Sequence, residues 1–214
     1  MEKQVSNVNT KDPEVIVRGW LKSTFTESHK VSPNTVILGN TIRTVDTWGN
    51  VKIEIPVQVD GRVMNRVKHD FLAGNYVEIH GELRTKNIYD GEGNKIQRRC
   101  YIFIKNIELL DELSAPPTNY VCVSGVLARK GKVHACKNGD CMFDFTLDIR
   151  RSRGRRSSVP CVIWGKERSQ HLASVSKGVT IEVKGWLKSR TIVDSAGIVK
   201  DVVEIIVDDF YNRE

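Results

Sequence analysis

The stretch Ile181-Glu182-Val183-Lys184-Gly185-Trp186-Leu187 has the form Val/Ile-x-Val/Ile-x-Gly-x-Leu, and this heptapeptide occurs four times in the chain. The other three copies occupy residues 15–21, 77–83 and 121–127. Their glycines are Gly19, Gly81, Gly125 and Gly185, at successive separations of 62, 44 and 60 residues. The alternating separations indicate two similar units with two copies each, and an internal repeat of this kind sets the number of domains.

The repeat extends beyond the heptapeptide at an offset of 104 residues. Matched pairs include Pro56 with Pro160, Gly61 with Gly165, Gly74 with Gly178, and Gly93 with Gly197. Residues 111–119 are polar and contain Pro116-Pro117, which favours an extended linker. We therefore predict a disordered lead-in over 1–12, a first domain over 13–110, a linker over 111–119, a second domain over 120–210 and a tail over 211–214.

The composition fits two domains of about 100 residues each in a chain of 214. No apolar run approaches the roughly 18 residues of a membrane span, and the first twelve residues are too polar for a signal peptide. A cytoplasmic protein with no membrane partner is expected. The five cysteines are an odd number in a chain large enough to fold without disulfides, so free thiols are expected.

The positive charge is concentrated in the second unit. Residues 1–118 carry 16 Lys and Arg against 15 Asp and Glu, whereas the remaining residues carry 17 against 11. The second unit therefore supplies most of the net charge of +7, which suits an anionic polymer as partner.

Each unit is predicted to contain five short strands, because apolar and polar residues alternate with a period of two. We expect strands near 14–22, 34–45, 51–59, 75–86 and 98–108, and near 120–128, 141–150, 159–164, 179–190 and 199–208. A short helix is predicted between the third and fourth strands of each unit, near 66–72 and 167–175. This plan favours an all-β chain of two tandem OB-folds, which are five-stranded Greek-key barrels. An antiparallel sandwich with the same number of strands is the alternative.

An ordered set of motifs in the second unit carries a family resemblance. Val159-Pro160-Cys161-Val162-Ile163-Trp164-Gly165-Lys166 is followed by Ser176-Lys177-Gly178 and then by the heptapeptide at 181–187. Together with the opening strand at 121–127, these motifs resemble the bacterial single-stranded DNA-binding protein family over about residues 120–208. The primosomal replication protein N family, built on the same fold, is an equally close comparison.

The first unit departs from this family pattern. Where the second unit has Trp164-Gly165-Lys166, the first has Asp60-Gly61-Arg62, so an acid replaces the aromatic residue that the resemblance assigns to base stacking. The chain also continues only to Glu214 after the last strand, so the family's acidic tail for recruiting partners is not expected. We therefore expect unequal roles for the two units and no recruitment of partners by a tail.

Four tryptophans are candidate platforms for bases, since single strands bind by stacking on aromatic rings. Trp164 is predicted to face outward opposite the core residues Cys161 and Ile163; a plug at the barrel end is the alternative. Trp20 and Trp186 lie on the outward side of their strands between cations, which suits a stacked base and a contact between barrels equally well. Trp48 lies in a turn and is either a stacking residue or a packed turn residue.

A cluster of five arginines lies between the second and third strands of the second unit, and we predict that it contacts phosphates. A solvated loop is the alternative. Other cations would extend this track through both units. The cluster and these cations are Arg150, Arg151, Arg153, Arg155, Arg156, Lys166, Lys188, Arg190, Lys22, Arg84 and Lys86.

Signals for catalysis or a cofactor are weak. His134, Cys136 and Cys141 have a spacing at the edge of structural zinc patterns, and a simple hairpin explains them better. Phosphate-cradling loops and nucleophile motifs are absent from the sequence. We therefore predict that the chain is not an enzyme and that it binds no metal and no cofactor.

These features predict a non-catalytic protein that binds single-stranded DNA with little sequence preference, in replication, repair or transfer of a mobile element. RNA is not excluded, because stacking and phosphate contacts serve both polymers. The alternative function is an adaptor that binds replication or conjugation proteins, with nucleic acid secondary. A homodimer or an intramolecular pseudo-dimer is expected.

Overall fold

The computed structural model describes residues 14–46, 49, 52–67, 69–113, 115–136, 139–151, 154–193 and 197–213. The elements of the first unit are β1 (Glu14–Leu21), β2 (Thr26–Ser32), β3 (Thr35–Val45), β4 (Lys52–Asp60), α1 (Gly61–Met64), β5 (Tyr76–Tyr89) and β6 (Lys95–Leu109). Those of the second unit are β7 (Thr118–Ala135), β8 (Cys141–Arg150), β9 (Arg156–Trp164), α2 (Lys166–Ser174), β10 (Thr180–Val193) and β11 (Val199–Arg213).

The hydrogen bonds between strands form two closed circuits. In the first unit β1 pairs with β3, β3 with β4, β4 in parallel with β6, β6 with β5, and β5 with β1. In the second, β7 pairs with β8, β8 with β9, β9 in parallel with β11, β11 with β10, and β10 with β7. This is the strand connectivity of the OB-fold. The prediction of an all-β chain is confirmed, and a sandwich does not account for the closed circuits.

The repeated heptapeptide packs as its spacing predicts. In the last copy Ile181, Val183 and Leu187 are fully buried in the core of the second unit. A side chain at Gly185 would place its Cβ 1.9 Å from the carbonyl oxygen of Ile206, so only glycine fits. The other three motif glycines face carbonyl oxygens of neighbouring strands in the same way: Gly19 faces Arg43 at 2.0 Å, Gly81 faces Phe103 at 2.6 Å, and Gly125 faces Asp148 at 2.7 Å. Barrel closure therefore depends on close backbone contact at these positions.

Two features of the first unit differ from the prediction. Strand β2 was not predicted. All residues of Thr26–Ser32 are exposed, so this strand has no buried face that a pattern of apolar residues could reveal. The helix predicted at 66–72 is wrong, since the described residues there form turns and irregular chain, and α1 comes earlier. It begins directly after Asp60, whose carboxylate accepts a hydrogen bond from the Arg62 backbone N–H at 2.9 Å. This N-cap, an arrangement typical of Asp, starts the helix early.

The two units join edge to edge and also touch through their outer faces. β1 pairs antiparallel with β7, from Glu14 opposite Cys122 to Arg18 opposite Thr118. Two backbone N–H groups of the first unit donate to serine hydroxyls of the second, Glu54 to Ser189 and Thr85 to Ser157, both at 3.2 Å. All five cysteines are free thiols, as predicted.

Replacement of Gly185 by alanine tests the constraint on barrel closure. Because the new Cβ meets the Ile206 carbonyl group, we expect Gly185→Ala to lower the free energy of unfolding by about 1–3 kcal/mol. Urea denaturation measures this change. Gly91→Ala is the matched control, since a Cβ at this turn position would have no atom within 4 Å, and its effect should stay within about 0.5 kcal/mol. Equal effects of the two substitutions would contradict the constraint.

Candidate nucleic-acid interface

Trp164 projects from the end of β9 and is 40% exposed. Cys161 and Ile163 lie in the barrel core at 1% and 0% exposure, as the alternation predicts. Directly after Trp164, Gly165 adopts a φ of 101°, a conformation that favours glycine, and the chain turns into α2. Ser169 of that helix donates to the carbonyl oxygen of Ile163 at 3.2 Å, which holds the turn against the strand. The ring is thus presented on a rigid support.

The corresponding position in the first unit has different chemistry. Asp60 forms an ion pair with Arg62 at 2.5 Å between Oδ2 and Nη2. The hydrogen bond from the Arg62 side chain is the main cause that lowers the pKa of Asp60 to about 2. Asp60 is therefore a carboxylate at neutral pH and offers no face to a base.

Trp186 is buried, so its prediction as a base-contacting residue is wrong. It is 5% exposed and lies in a row across the sheet with Ile206 and Val162, which are also buried. Together with Ile53 of the first unit it lines a cavity of about 400 Å³. The outward side of β10 is therefore covered where the two units meet, which agrees with the alternative interpretation of Trp186 as a contact between barrels.

The same cavity has Trp164 at its rim and a polar wall. Arg168 lines it and donates to the carbonyl oxygen of Asp208 at 2.6 Å. Burial raises the pKa of the Asp208 carboxyl group, against the opposing effects of Arg168 and of a hydrogen bond from Trp186. Lys188 also lines this cavity.

The candidates at the start of the first unit are engaged with other residues of that half of the chain. Trp20 is half-buried, with its ring centroid 5.1 Å from that of Tyr76, and its Nε1 donates to Glu112. Lys22 forms an ion pair with Glu54 at 2.7 Å. Neither side chain is free for a ligand without breaking these contacts. Trp48 and Arg153 lie outside the described residues.

The segment 150–156, here called the arginine loop, connects the antiparallel strands β8 and β9. The backbone N–H of Arg151 donates to the carbonyl oxygen of Arg155 at 2.7 Å, and Gly154 has a φ of 74°. Arg150 and Arg156 form an exposed cross-strand pair at the ends of β8 and β9. Arg151 and Arg155 instead turn toward the first unit and line a groove between the two units.

This junction groove has a volume of about 670 Å³. Its positively charged and aromatic lining consists of Arg62, Arg84, Phe103, Lys105, Arg151 and Arg155. The guanidinium carbon of Arg84 lies 3.4 Å from the centroid of the Phe103 ring, a cation–π contact that orients the side chain. Predicted site residues from both units, Arg84, Arg151 and Arg155, thus meet in one place.

The remaining predicted cations are dispersed. Lys166 is exposed at the first position of α2, next to Trp164. Lys86 is half-buried beside the Tyr101 ring, and burial, then the charge of Arg99, lower its pKa. Arg190 is held by Glu204 through two hydrogen bonds of 2.9 and 3.1 Å, so its charge is compensated.

Sequence reasoning missed several residues of these two sites. Phe103 and Lys105 sit on the outward side of β6, and Arg168 on α2. The alternation in β6 marks Phe103 and Lys105 as outward-facing, but no sequence signal places them opposite the arginine loop. That proximity arises only from the packing of one unit on the other.

No helix in the described part of the chain is long and apolar enough to cross a membrane. Within the same residues, no group of three or more histidine, cysteine or acidic side chains is arranged to hold a metal ion. His134, one of the residues of the metal-like pattern, is hydrogen-bonded to Asp144 at 3.1 Å.

Comparison with known proteins finds a family to which the second unit is similar. The model of the single-strand binding protein family matches residues 118–212. Residues 118–212 are therefore similar to the single-strand binding protein family, whose members are non-catalytic DNA-binding proteins. This agrees with the prediction that the chain is not an enzyme. Among curated proteins, no sequence matches this chain significantly.

Solved structures extend the likeness to nearly the whole chain. The wild-type single-stranded DNA binding protein from Thermus aquaticus superposes with a TM-score of 0.74 and 16% identity, covering 94% of this chain and 93% of that chain. A deletion mutant of the same protein gives a TM-score of 0.74 and 15% identity, covering 94% of both chains. At this identity the likeness shows the fold.

The different burial of two tryptophans predicts different effects on stability. Trp186→Ala removes a buried side chain at the contact between the units, so we expect the free energy of unfolding to fall by about 3–5 kcal/mol. Trp164→Ala removes an exposed ring and should cost about 1 kcal/mol or less. Thermal or urea unfolding of both variants measures the difference. A Trp164→Ala variant as unstable as Trp186→Ala would show that Trp164 is a structural plug.

Proposed function

We propose that this chain binds single-stranded DNA without catalysis and with little sequence preference, and that the second unit provides the main binding surface. The observation that carries the proposal is the exposed ring of Trp164 at the end of β9, with Lys166 two residues further along the chain and Lys188 lining the same cavity. The family match of residues 118–212 supports the same ligand.

The mechanism combines stacking with electrostatic attraction. Every base has a π face, so a base stacked on Trp164 is bound whatever its identity. The arginines between β8 and β9 contact the phosphates, and each neutralised phosphate releases a bound counterion. Affinity therefore depends on aromatic area and salt concentration more than on sequence. RNA offers the same faces and phosphates and is the second ligand to be measured.

We infer unequal roles for the two domains, 13–110 and 120–210. The first lacks a ring at the position of Trp164, because Asp60 stands there and is bound to Arg62. Many of its surface charges are also paired, including Arg18 with Glu78 and both Lys22 and Arg43 with Glu54. These pairs favour the adaptor alternative for the first domain, in which it binds a replication or conjugation protein.

We further infer that one chain acts as an intramolecular pseudo-dimer. The pairing of β1 with β7 joins the first strands of the two barrels within one chain. Protection or presentation of unwound DNA in replication, repair or transfer of a mobile element is the role that such a protein would serve.

Titration with labelled oligo-dT, followed by fluorescence anisotropy at several salt concentrations, tests the proposal. We expect saturable binding that weakens as salt rises, and much weaker binding to duplex DNA of the same length. Trp164→Ala should lower the affinity for oligo-dT by about 5-fold to 150-fold, since stacking contributes about 1–3 kcal/mol per base.

Trp164→Phe is the matched control, because it keeps an aromatic face and should lose less affinity than the alanine variant. Unchanged affinity in Trp164→Ala would show that the binding surface is wrongly assigned. Absence of binding to both oligo-dT and oligo-U at low salt would refute the proposed function and leave the adaptor alternative.

A further inference from the structure

The junction groove places five cations of two domains around one space. Arg62, Arg84 and Lys105 come from the first unit, and Arg151 and Arg155 from the second. Like charges repel, so this convergence is unfavourable unless an anion or a carboxylate compensates it.

Among the described residues, the nearby carboxylates form ion pairs with the cations of the first unit. Asp60 is bound to Arg62, and Glu82 is bound to Arg84 and to Lys105, the latter at 3.5 Å. Within the described residues, neither Arg151 nor Arg155 forms an ion pair with a carboxylate. Glu82 favours the charge of Arg151 electrostatically, but at the side of the groove that faces the first unit neither arginine is held in such an ion pair.

Arg151 has a buried donor without an acceptor. Its Nε is shielded from solvent and makes no hydrogen bond in the described structure. Burial lowers the pKa of the Arg151 guanidinium, and the positive charge of Arg84 lowers it further. A buried donor left without a partner costs about 1–3 kcal/mol, so the conformation is suited to an acceptor that enters the groove.

The shape of the cation set matches a phosphate group. Arginine presents its donors in a planar fork that fits phosphate oxygens, and here forks from two domains face the same space. Arg84 is held in place on the Phe103 ring at 3.4 Å, and the backbone bond from Arg151 to Arg155 holds the loop. The Arg84 side chain and the backbone of the loop are therefore positioned before a ligand arrives.

The position of the groove relative to Trp164 indicates that the phosphate group bound there is part of a DNA strand. β9 begins at Arg156, directly after the arginine loop, and ends at Trp164. Eight residue steps of a strand span about 26 Å, so a DNA strand stacked on Trp164 reaches the groove only after several nucleotides. On the other side of the groove lie β5 and β6 of the first unit.

We propose that the junction groove binds a backbone phosphate of a single strand and so passes the strand from the second domain to the first. The proposal rests on single-stranded DNA binding and adds a site that spans both domains. In it the first domain contributes Arg84 and Lys105 to the path of the DNA even though it has no stacking ring at Asp60.

The test measures the affinity of the full chain for oligo-dT of two lengths. We expect the double substitution Arg151→Gln and Arg155→Gln to lower the affinity for a long oligo-dT, of about 30 nucleotides, by at least about tenfold. The affinity for an oligo-dT of about 6 nucleotides, too short to span both sites, should fall by less than about threefold. For the long ligand, the slope of log affinity against log salt should fall by about 0.7, which corresponds to one phosphate.

Arg150→Gln with Arg156→Gln is the matched control. It removes two charges from the same loop, but these side chains are exposed and do not line the groove. We expect a smaller loss that is similar for the two lengths. If the two double variants behave alike, the arginines act only through diffuse charge and the groove proposal is refuted.

Thermal melting in the presence of inorganic phosphate distinguishes a groove that binds a DNA strand from a groove that binds a free phosphate ion. If phosphate raises the melting temperature of the wild type but not of the Arg151/Arg155 variant, and affinity for the long ligand is unchanged in that variant, the groove binds a free phosphate and the strand path is wrong. If the wild type binds no oligo-dT of either length, the proposed function itself fails. A loss confined to the long ligand supports the groove as the crossing point.

Discussion

The close contact between backbones at the four motif glycines is the constraint on which the structure depends. In each barrel two strands bend so sharply that the space for a Cβ is occupied by a carbonyl oxygen of the next strand, as at Gly185 and Ile206. The bends let β1 pair with both β3 and β5, and let β10 pair with both β7 and β11. Without them five strands would form an open sheet with exposed edges.

Closure of the barrels leaves the outward side chains free to differ, and the two units use this freedom in different ways. The outward row Trp186, Ile206 and Val162 is apolar and becomes buried where the units meet. Trp164 and Lys166 remain at the surface, whereas their counterparts Asp60 and Arg62 bind each other. The same fold thus carries an apolar contact between the units, an exposed candidate stacking ring at Trp164, and an ion pair between Asp60 and Arg62.

The contact between the units also determines where the positive charge acts. The arginine loop would be a solvated wing on an isolated barrel, because no carboxylate among the described residues of its own unit forms an ion pair with Arg151 or Arg155. In the complete chain it lies opposite Arg84, Phe103 and Lys105. The electrostatic field of the second unit is therefore focused into a groove that only the pair of barrels forms.

The sequence by itself determined the repeat, ten of the strands, the core positions and the outward placement of Trp164, because a period of two and a spacing of glycines report on local backbone geometry. It did not reveal β2, whose residues are all exposed, or the early start of α1 at the Asp60 cap. Only the tertiary structure decided that Trp186 is buried and that arginines of the second unit meet cations of the first. Both depend on contacts between residues far apart in the chain, and alternation shows which way a side chain points but not what lies opposite it.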